Sequence, residues 1–214
     1  MTEPEGIRAI DASQAAPEWR GDVPVSPVYG DPYWSLEDGE AEARFVHVSA
    51  PGAAAGMRAR MQAGETFQVC ELGFGAGLNL LTLWRAARAA GAALRFWSVE
   101  LHPLRADDMA RALRPWPALG TDAAALIGAW RAAGEGRDGD VRATLPGLSL
   151  TVAVGEARRA AEAPMADQWL LDGFAPARNP SMWRAEVLTA VGAATRPGGA
   201  ATTYAAASAV RQGL

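Results

Sequence analysis

The sequence contains no lysine, one cysteine and two histidines among its 214 residues. Without lysine, the chain has no candidate for a Schiff base or a lysine nucleophile. A single cysteine excludes an internal disulfide and a cysteine-rich zinc site, and we interpret Cys70, which lies in an apolar run, as a core residue. His47 and His102 lie too far apart in the sequence for metal-ligand spacing, so no metal is expected.

Long apolar runs are also missing from the sequence. No stretch of about 18 uncharged apolar residues occurs, so neither a membrane span nor a membrane partner is expected. The N-terminus is acidic and polar and lacks the basic-then-apolar layout of a secretory signal, which predicts a cytoplasmic protein. The net charge of −4 argues against a protein whose whole surface binds nucleic acid, although it is compatible with a local basic patch.

Half of the residues are apolar, and the length fits one domain. Residues 1–43, rich in proline, glycine and acidic residues, are predicted to form an irregular N-terminal segment before a domain over residues 44–214. Alternation predicts a short strand at 44–48, and apolar runs predict strands at 67–72, 94–101, 148–154, 168–171 and 200–204. Helices are predicted at 80–87, 106–113, 121–130 (with Thr121 or Asp122 as N-cap) and 180–191, while 51–64 is either a weak helix or a loop. This alternation predicts an α/β fold with a doubly wound, mostly parallel sheet.

A glycine-rich turn follows the strand at 67–72, where Glu71 precedes Gly73, Gly75 and Gly77. Glycines there permit a tight turn and close approach of the backbone to a ligand. The dinucleotide fingerprint places glycines at relative positions one, three and six, whereas this turn has them at one, three and five. The carboxylate of Glu71 would repel a pyrophosphate and attract the amino group or sulfonium of S-adenosylmethionine. The turn therefore favours S-adenosylmethionine over NAD.

Three further acids follow predicted strands: Glu100, Glu156 (after Gly155) and Asp172. Because ligands bind at the carboxyl edge of an open parallel sheet, these acids are expected to meet in one site. In that arrangement Glu100 accepts hydrogen bonds from ribose hydroxyls, Glu156 lies near an adenine, and Asp172 lies over the methyl group. Taken singly, each acid is equally well explained as a solvated loop residue or a helix cap; the array beside the glycine turn favours a cofactor site.

Several segments resemble one known family. ELGFGAGLNLL (71–81), FWSVELHPL (96–104) and WLLDGFAPARNPSMW (169–183) are similar to the methyltransferase domain of the bacterial enzyme that makes 5-methylaminomethyl-2-thiouridine at the tRNA wobble position. The resemblance covers residues 28–214, and the block at 169–183 is its most specific part. It implies the class I S-adenosylmethionine-dependent methyltransferase fold. Counted from the strand at 67–72, the predicted strand at 200–204 is the fifth of that sheet. The chain stops soon after it, so we expect the sheet to lack its last two strands.

The resemblance also implies roles for individual residues. Asp172 would be the catalytic residue that faces the substrate amine. The cofactor would be bound by Tyr33, Ser35, Glu71, Gly73, Gly75, Gly77, Glu100, Gly155 and Glu156. The substrate would contact Phe174, Pro176, Asn179 and Trp183.

The implied reaction is methylation of the aminomethyl group of 5-aminomethyl-2-thiouridine, with tRNA as the partner. Phosphates would meet a group of arginines, although a solvated arginine face explains them equally well: Arg158, Arg159, Arg178 and Arg184. Many relatives fuse this domain to a flavin-dependent oxidase, so an oxidase domain or protein acting on the same nucleotide is an expected partner; no flavin is expected in this chain. Two alternatives stay open, a methyltransferase for a small molecule or protein and a non-catalytic nucleotide-binding or scaffold domain.

Overall fold

A computed structural model describes residues 16–35, 37–49 and 51–203. The strands are β1 Glu18–Arg20, β2 Val23–Val25, β3 Phe67–Leu72, β4 Leu94–Glu100, β5 Val141–Leu145, β6 Leu148–Val154, β7 Ala166–Leu171 and β8 Thr195–Thr203. The α-helices are α1 Gly39–Ala43, α2 Pro51–Gln62, α3 Leu78–Ala89, α4 Ala106–Leu113, α5 Gly120–Ala132 and α6 Ala185–Ala193. A π-helical turn spans Arg44–Val48, and 3-10 turns lie at Pro117–Leu119, Gly134–Gly136, Ala157–Glu162 and Pro180–Trp183. None of the helices in the described ranges is both long and apolar enough to cross a membrane.

The main sheet has six strands in the order β5-β6-β4-β3-β7-β8. All neighbouring pairs are parallel except β5 with β6, which are antiparallel. The order reverses at β3, which lies between β4 and β7. In such sheets the crevice at the reversal, beyond the carboxyl ends of the strands, is where ligands bind. The predicted α/β, doubly wound, mostly parallel sheet is confirmed.

Two hydrophobic cores cover the two faces of this sheet. Along β3, Phe67 and Val69 pack into one core with α3, α4 and α5, while Cys70 and Leu72 pack into the other with α6. This separation follows from the two-residue period of a strand. All of β3 is buried, as expected for a central parallel strand, and Cys70 is the core residue that the sequence predicted.

Some predicted elements differ from the structure. The segment Arg44–Val48 is a π-helical turn rather than a strand, and α1 continues directly into it. The adjacent side chains of Arg44 and Phe45 are both exposed, whereas adjacent side chains of a half-buried strand point to opposite faces. The predicted helix at 180–191 is a 3-10 turn followed by α6, because Arg184 between them is extended, with ψ 150°. The strand predicted at 200–204 begins earlier, at Thr195, and its last residue lies outside the described part. The sequence pattern does not predict β5.

Helix α5 begins at Gly120 without a side-chain N-cap, so the predicted cap at Thr121 or Asp122 is wrong. The carboxylate of Asp122 instead accepts two hydrogen bonds of 2.7 Å from Arg88 on α3. The ambiguous stretch at 51–64 is a helix, α2, over most of its length.

Part of the N-terminal segment folds against the domain. Strands β1 and β2 form an antiparallel hairpin, and Trp19 of β1 packs on the core with the guanidinium of Arg111 3.9 Å from its ring. A bridge from Val25 to Pro32 and a hydrogen bond from Ala175 N to Asp31 Oδ2 (3.0 Å) then fix the following residues beside the sheet. The domain boundary after residue 43 stays a prediction.

Candidate active site

A cavity of about 800 Å³ lies at the carboxyl ends of β3, β4, β6 and β7. Most of the residues predicted for the site line it: Tyr33, Ser35, Gly73, Gly75, Glu100, Gly155, Glu156, Asp172, Phe174, Pro176 and Asn179. Three predicted residues lie behind its wall instead: Glu71, Gly77 and Trp183. The structure thus brings together four consecutive strand ends, as the sequence analysis expected.

The glycine turn gives the cavity a wall of backbone. Gly73, Gly75 and Gly77 all have positive φ, at 88°, 55° and 80°, a conformation that costs glycine little. A Cβ on Gly75 would lie 3.1 Å from the ring of Tyr33, so a side chain there would close the space between turn and ring. Gly77 has a structural role, because it is the N-cap residue of α3 and a Cβ there would lie 3.0 Å from Leu126.

Glu100 is fixed at the end of β4 by two backbone donors. The amide of Gly75 donates to its Oε2 over 2.9 Å, and the amide of His102 donates to its Oε1 over 2.8 Å. A carboxylate oxygen has two acceptor positions, so each oxygen of Glu100 can still accept a hydroxyl. This geometry suits a vicinal diol such as a ribose.

Glu71 is buried under the glycine turn, with 1% exposure, rather than facing the cavity. Asn79 Nδ2 donates to its Oε1 (3.0 Å), and Ser98 Oγ donates to its Oε2 (2.9 Å). Burial raises the pKa of Glu71 well above its usual range; the charges of Asp172 and Glu100 add to this, and the two hydrogen bonds oppose it. Glu71 therefore lies beneath the cavity floor and contacts a lining residue, Asn79.

Asp172, at the end of β7, keeps part of its carboxylate open to the cavity, with 31% side-chain exposure. Asn79 Nδ2 donates to Oδ2 over 2.8 Å, and His47 Nε2 lies 3.6 Å from the same oxygen. Burial alone would raise the pKa of Asp172, but His47 and Asn79 together outweigh burial and lower it. The cavity therefore has an ionised carboxylate on its floor at neutral pH.

Neither partner of Asp172 is predicted from the sequence. Asn79 lies in the first turn of α3, directly after the glycine turn, and that position is the signal that could have drawn attention to it. His47 has no role assigned from the sequence, because its approach to Asp172 depends on the π-helical turn, where the residue pattern predicts a strand.

Aromatic rings close one side of the cavity. The ring of Phe174 lies 4.9 Å from that of Tyr29 and 5.1 Å from that of Tyr33, both packed at an angle. Trp183, from behind, donates its indole N–H to the carbonyl of Phe174 over 2.9 Å and so supports this wall without lining it. Tyr29 is a lining residue that the sequence analysis did not identify.

The loop after β7 has little room for side chains. A Cβ on Gly173 would lie 1.8 Å from Sδ of Met182, so only glycine fits there without displacing Met182. Asn179 is buried, and its Oδ1 accepts a 2.7 Å hydrogen bond from Ser181. These contacts hold the segment with Phe174 and Pro176 against the sheet edge.

The cavity rim carries charged side chains. Glu156, with 64% side-chain exposure, lies 3.2 Å from Arg158 Nε, and both line the opening together with Arg184. Arg159 instead binds Asp140 and is not available at the rim. Across residues 16–35, 37–49 and 51–203, no group of three or more His, Cys, Asp and Glu side chains is arranged to hold a metal ion.

Comparison with known proteins gives a consistent result. Residues 124–214 match the family described as S-adenosyl-L-methionine-dependent methyltransferase. The chain is 46% identical over 204 residues to a tRNA 5-methylaminomethyl-2-thiouridine biosynthesis bifunctional protein of Caulobacter vibrioides, covering 92% of this chain and 33% of that protein. A protein of the same name from Thiobacillus denitrificans is 38% identical over 92% of this chain and 32% of its own length. The chain therefore spans about a third of the length of these curated relatives.

Among solved structures, the crystal structure of MNMC2 from Aquifex aeolicus superposes with a TM-score of 0.65 and 20% identity, covering 90% of this chain and 59% of that one. At 20% identity, this match supports a shared fold and nothing further. These matches confirm the resemblance predicted from the sequence, the methyltransferase fold, and S-adenosyl-L-methionine as the cofactor of the matching family.

Proposed function

We propose that this chain transfers a methyl group from S-adenosylmethionine to the exocyclic amine of 5-aminomethyl-2-thiouridine at the tRNA wobble position. The observation that carries the proposal is the carboxylate of Asp172 on the floor of the cavity, with Oδ2 held by Asn79 and the carboxylate partly exposed. An acceptor in that place suits a substrate that presents N–H groups. The names of the relatives support the choice of nucleoside.

The described residues fit the cofactor. The turn at Gly73 and Gly75 offers a wall without side chains, Glu100 can accept a ribose diol, and the cavity is large enough for a drug-sized molecule. We assign Glu156 and Gly155 to the adenine end, and Tyr33 and Ser35 to the side that covers the cofactor. When bound, S-adenosylmethionine supplies an electrophilic methyl group on a sulfonium.

Asp172 acts on the amine by orientation. An alkyl amine with the pKa of a lysine, about 10.4, is mostly protonated at neutral pH, and removing its proton there costs about 4–5 kcal/mol. A carboxylate whose pKa is lowered is a poor base for the proton of the amine. We therefore propose that water takes up this proton as the substrate binds. The deprotonated nitrogen then has a free lone pair for the methyl group that bound S-adenosylmethionine would supply. Asp172 aims the lone pair and stabilises the positive charge that grows on nitrogen.

Phe174, Pro176 and Asn179 form the side of the cavity that we assign to the base. A wobble base has to leave its stack to reach such a pocket, and an aromatic wall can receive it. We assign contacts with phosphates to Arg158 and Arg184, which line the rim. A tRNA substrate would place the activity in the cytoplasm. A flavin-dependent oxidase acting on the same nucleotide is a proposed partner, consistent with the word bifunctional in the relatives' names.

Methyl transfer to two tRNA preparations tests the proposal. One carries 5-aminomethyl-2-thiouridine, and the other is the same tRNA already methylated there. Radiolabel from S-adenosylmethionine should enter only the first, and Asp172→Asn should lose turnover while keeping cofactor affinity. Label in small molecules or proteins instead would favour a methyltransferase for another substrate. A folded chain that binds the cofactor and methylates nothing would support the non-catalytic alternative.

A further inference from the structure

His47 is a buried histidine that the mechanism above does not use. It lies in the π-helical turn Arg44–Val48, is 1% exposed, and reaches the floor of the cavity. Its Nδ1 is 2.9 Å from Thr202 Oγ1 on β8, and its Nε2 is 3.6 Å from Asp172 Oδ2 on β7. The imidazole therefore connects the edge of the sheet with the proposed catalytic carboxylate.

The hydrogen bonds around Thr202 determine which ring nitrogen carries a proton. Gln168 Nε2 donates to Thr202 Oγ1 (3.2 Å) and to the backbone carbonyl of His47 (2.9 Å), so the hydroxyl already accepts one hydrogen bond. Its single proton can go to the carbonyl of Trp169 (3.2 Å) or to His47 Nδ1. If it goes to Trp169, Nδ1 has to donate, and a bare Nε2 would then face the negative charge of Asp172.

That bare Nε2 is unfavourable, because a lone pair would point at a carboxylate. Protonating Nε2 as well, to give an imidazolium, removes the repulsion. If the Thr202 proton goes to Nδ1 instead, the neutral ring has its proton on Nε2. Both arrangements that satisfy the surroundings therefore place N–H at Nε2, directed at Asp172 Oδ2. The separation of 3.6 Å is longer than a normal hydrogen bond, so electrostatic attraction carries most of this contact.

We propose that His47 is a positioning residue, whose Nε2–H together with Asn79 Nδ2 holds Oδ2 of Asp172 and leaves Oδ1 to meet the substrate amine. The expected effect on kcat rests on the proposed function, whereas the contact between His47 and Asp172 is independent of that function. Asn79 approaches from α3 and His47 from the π-helical turn, and both contact the same oxygen of the carboxylate, Oδ2. Removing one donor leaves the carboxylate free to rotate and misplaces the acceptor.

Two substitutions separate the two nitrogens of His47. His47→Gln places an amide N–H near the position of Nε2, whereas His47→Asn places one near Nδ1 and keeps only the bond to Thr202. We expect His47→Asn to lower kcat about ten-fold, because the carboxylate loses one electrostatic contact, with cofactor affinity and KM little changed. His47→Gln should recover most of that loss. Equal losses in both variants, or a loss confined to KM, would overturn the positioning role.

Nitrogen-15 NMR tests the contact without any tRNA. The chain has two histidines, so His102→Gln assigns the His47 ring signals. We expect Nε2 of His47 to be protonated and its signal to shift in Asp172→Asn. A His47 protonated at Nδ1 alone would overturn the inference even if tRNA is methylated. Conversely, the measurements can show a protonated Nε2 and the expected shift in its signal while the chain methylates no tRNA. That result would support the contact and refute the proposed function.

Discussion

Nδ2 of Asn79 lies 2.8 Å from Oδ2 of Asp172 and 3.0 Å from Oε1 of Glu71, so one amide joins the acids that end β7 and β3. The first acid has a lowered pKa and the second a raised pKa. Burial is the main cause of the raised pKa of Glu71, whereas the contacts of Asp172 with His47 and Asn79 lower its pKa and favour its ionised form.

Asn79→Ala should impair both acids. Asp172 loses its closest donor, so kcat for methyl transfer should fall about ten-fold or more. Glu71 loses one of its two buried partners, which should cost about 1–3 kcal/mol in the free energy of unfolding. Denaturant unfolding and initial-rate kinetics would measure the two effects. An unchanged kcat in a destabilised variant would show that Asn79 supports only the fold.

Glu71→Gln should change how stability depends on pH. Because the folded-state pKa of Glu71 is raised above the usual value of about 4.5, the folded chain binds the proton more tightly than the unfolded chain. Its contribution to stability is thus largest below that value and is lost as the pH rises toward the folded-state pKa. A glutamine imitates the protonated acid, so the variant should be relatively more stable near neutral pH than at acid pH.

Thermal unfolding of wild type and Glu71→Gln over a pH series checks this. The difference between their melting temperatures should shift in favour of the variant as the pH rises. A constant difference would mean that Glu71 has the same pKa in the folded and the unfolded chain, contrary to the prediction.

The fold was predictable where strands are short, mostly apolar segments bounded by turns. The bounds of β3 and β6 agree with the prediction for this reason. Strand β5 alternates buried and exposed residues at the edge of the sheet, and its sequence VRATL follows a polar loop, so it gave little signal. RFVHV alternates like a strand, yet local pattern cannot reveal that α1 continues into it.

The site was predictable as far as strand ends allow. Glu100 and Asp172 face one cavity because parallel strands end at one edge. Glu71 was expected to face the cofactor, but in the structure it lies on the α3 side of β3 beneath the glycine turn; position along a strand does not show how the following turn covers it. The contacts of Asp172 with Asn79 and His47 join distant segments and emerge only from tertiary packing.

Gly173→Ala should disturb the loop after β7. Its Cβ would collide with Sδ of Met182, and overpacking of this kind costs about 1–3 kcal/mol. Met182→Ala should relieve the collision, so the double variant should cost less than the sum of the two single variants. Gly128→Ala is the control: nothing lies within 4 Å of a Cβ there, and alanine favours the helix α5. Additive losses in denaturant unfolding would refute the proposed collision.

Binding of tRNA should depend on the rim arginines. Arg158→Ala and Arg184→Ala should each weaken the affinity and make the salt dependence less steep, by about one unit of slope for each phosphate that is no longer neutralised. Arg95, exposed at the amino end of β4 and thus at the opposite edge of the sheet, is a matched control of the same charge. If Arg95→Ala weakens binding as much as the rim variants, the tRNA does not bind at the cavity.

Calorimetric titration with S-adenosylmethionine of wild type and Glu100→Ala, with NAD as the control ligand, tests the central assignment most directly. We expect saturable binding of S-adenosylmethionine, little binding of NAD, and affinity weakened about ten- to hundred-fold in Glu100→Ala by the loss of the ribose acceptor. Equal affinity of a folded Glu100→Ala variant for S-adenosylmethionine, or no binding by the folded wild type, would contradict the assignment of this cavity to the cofactor.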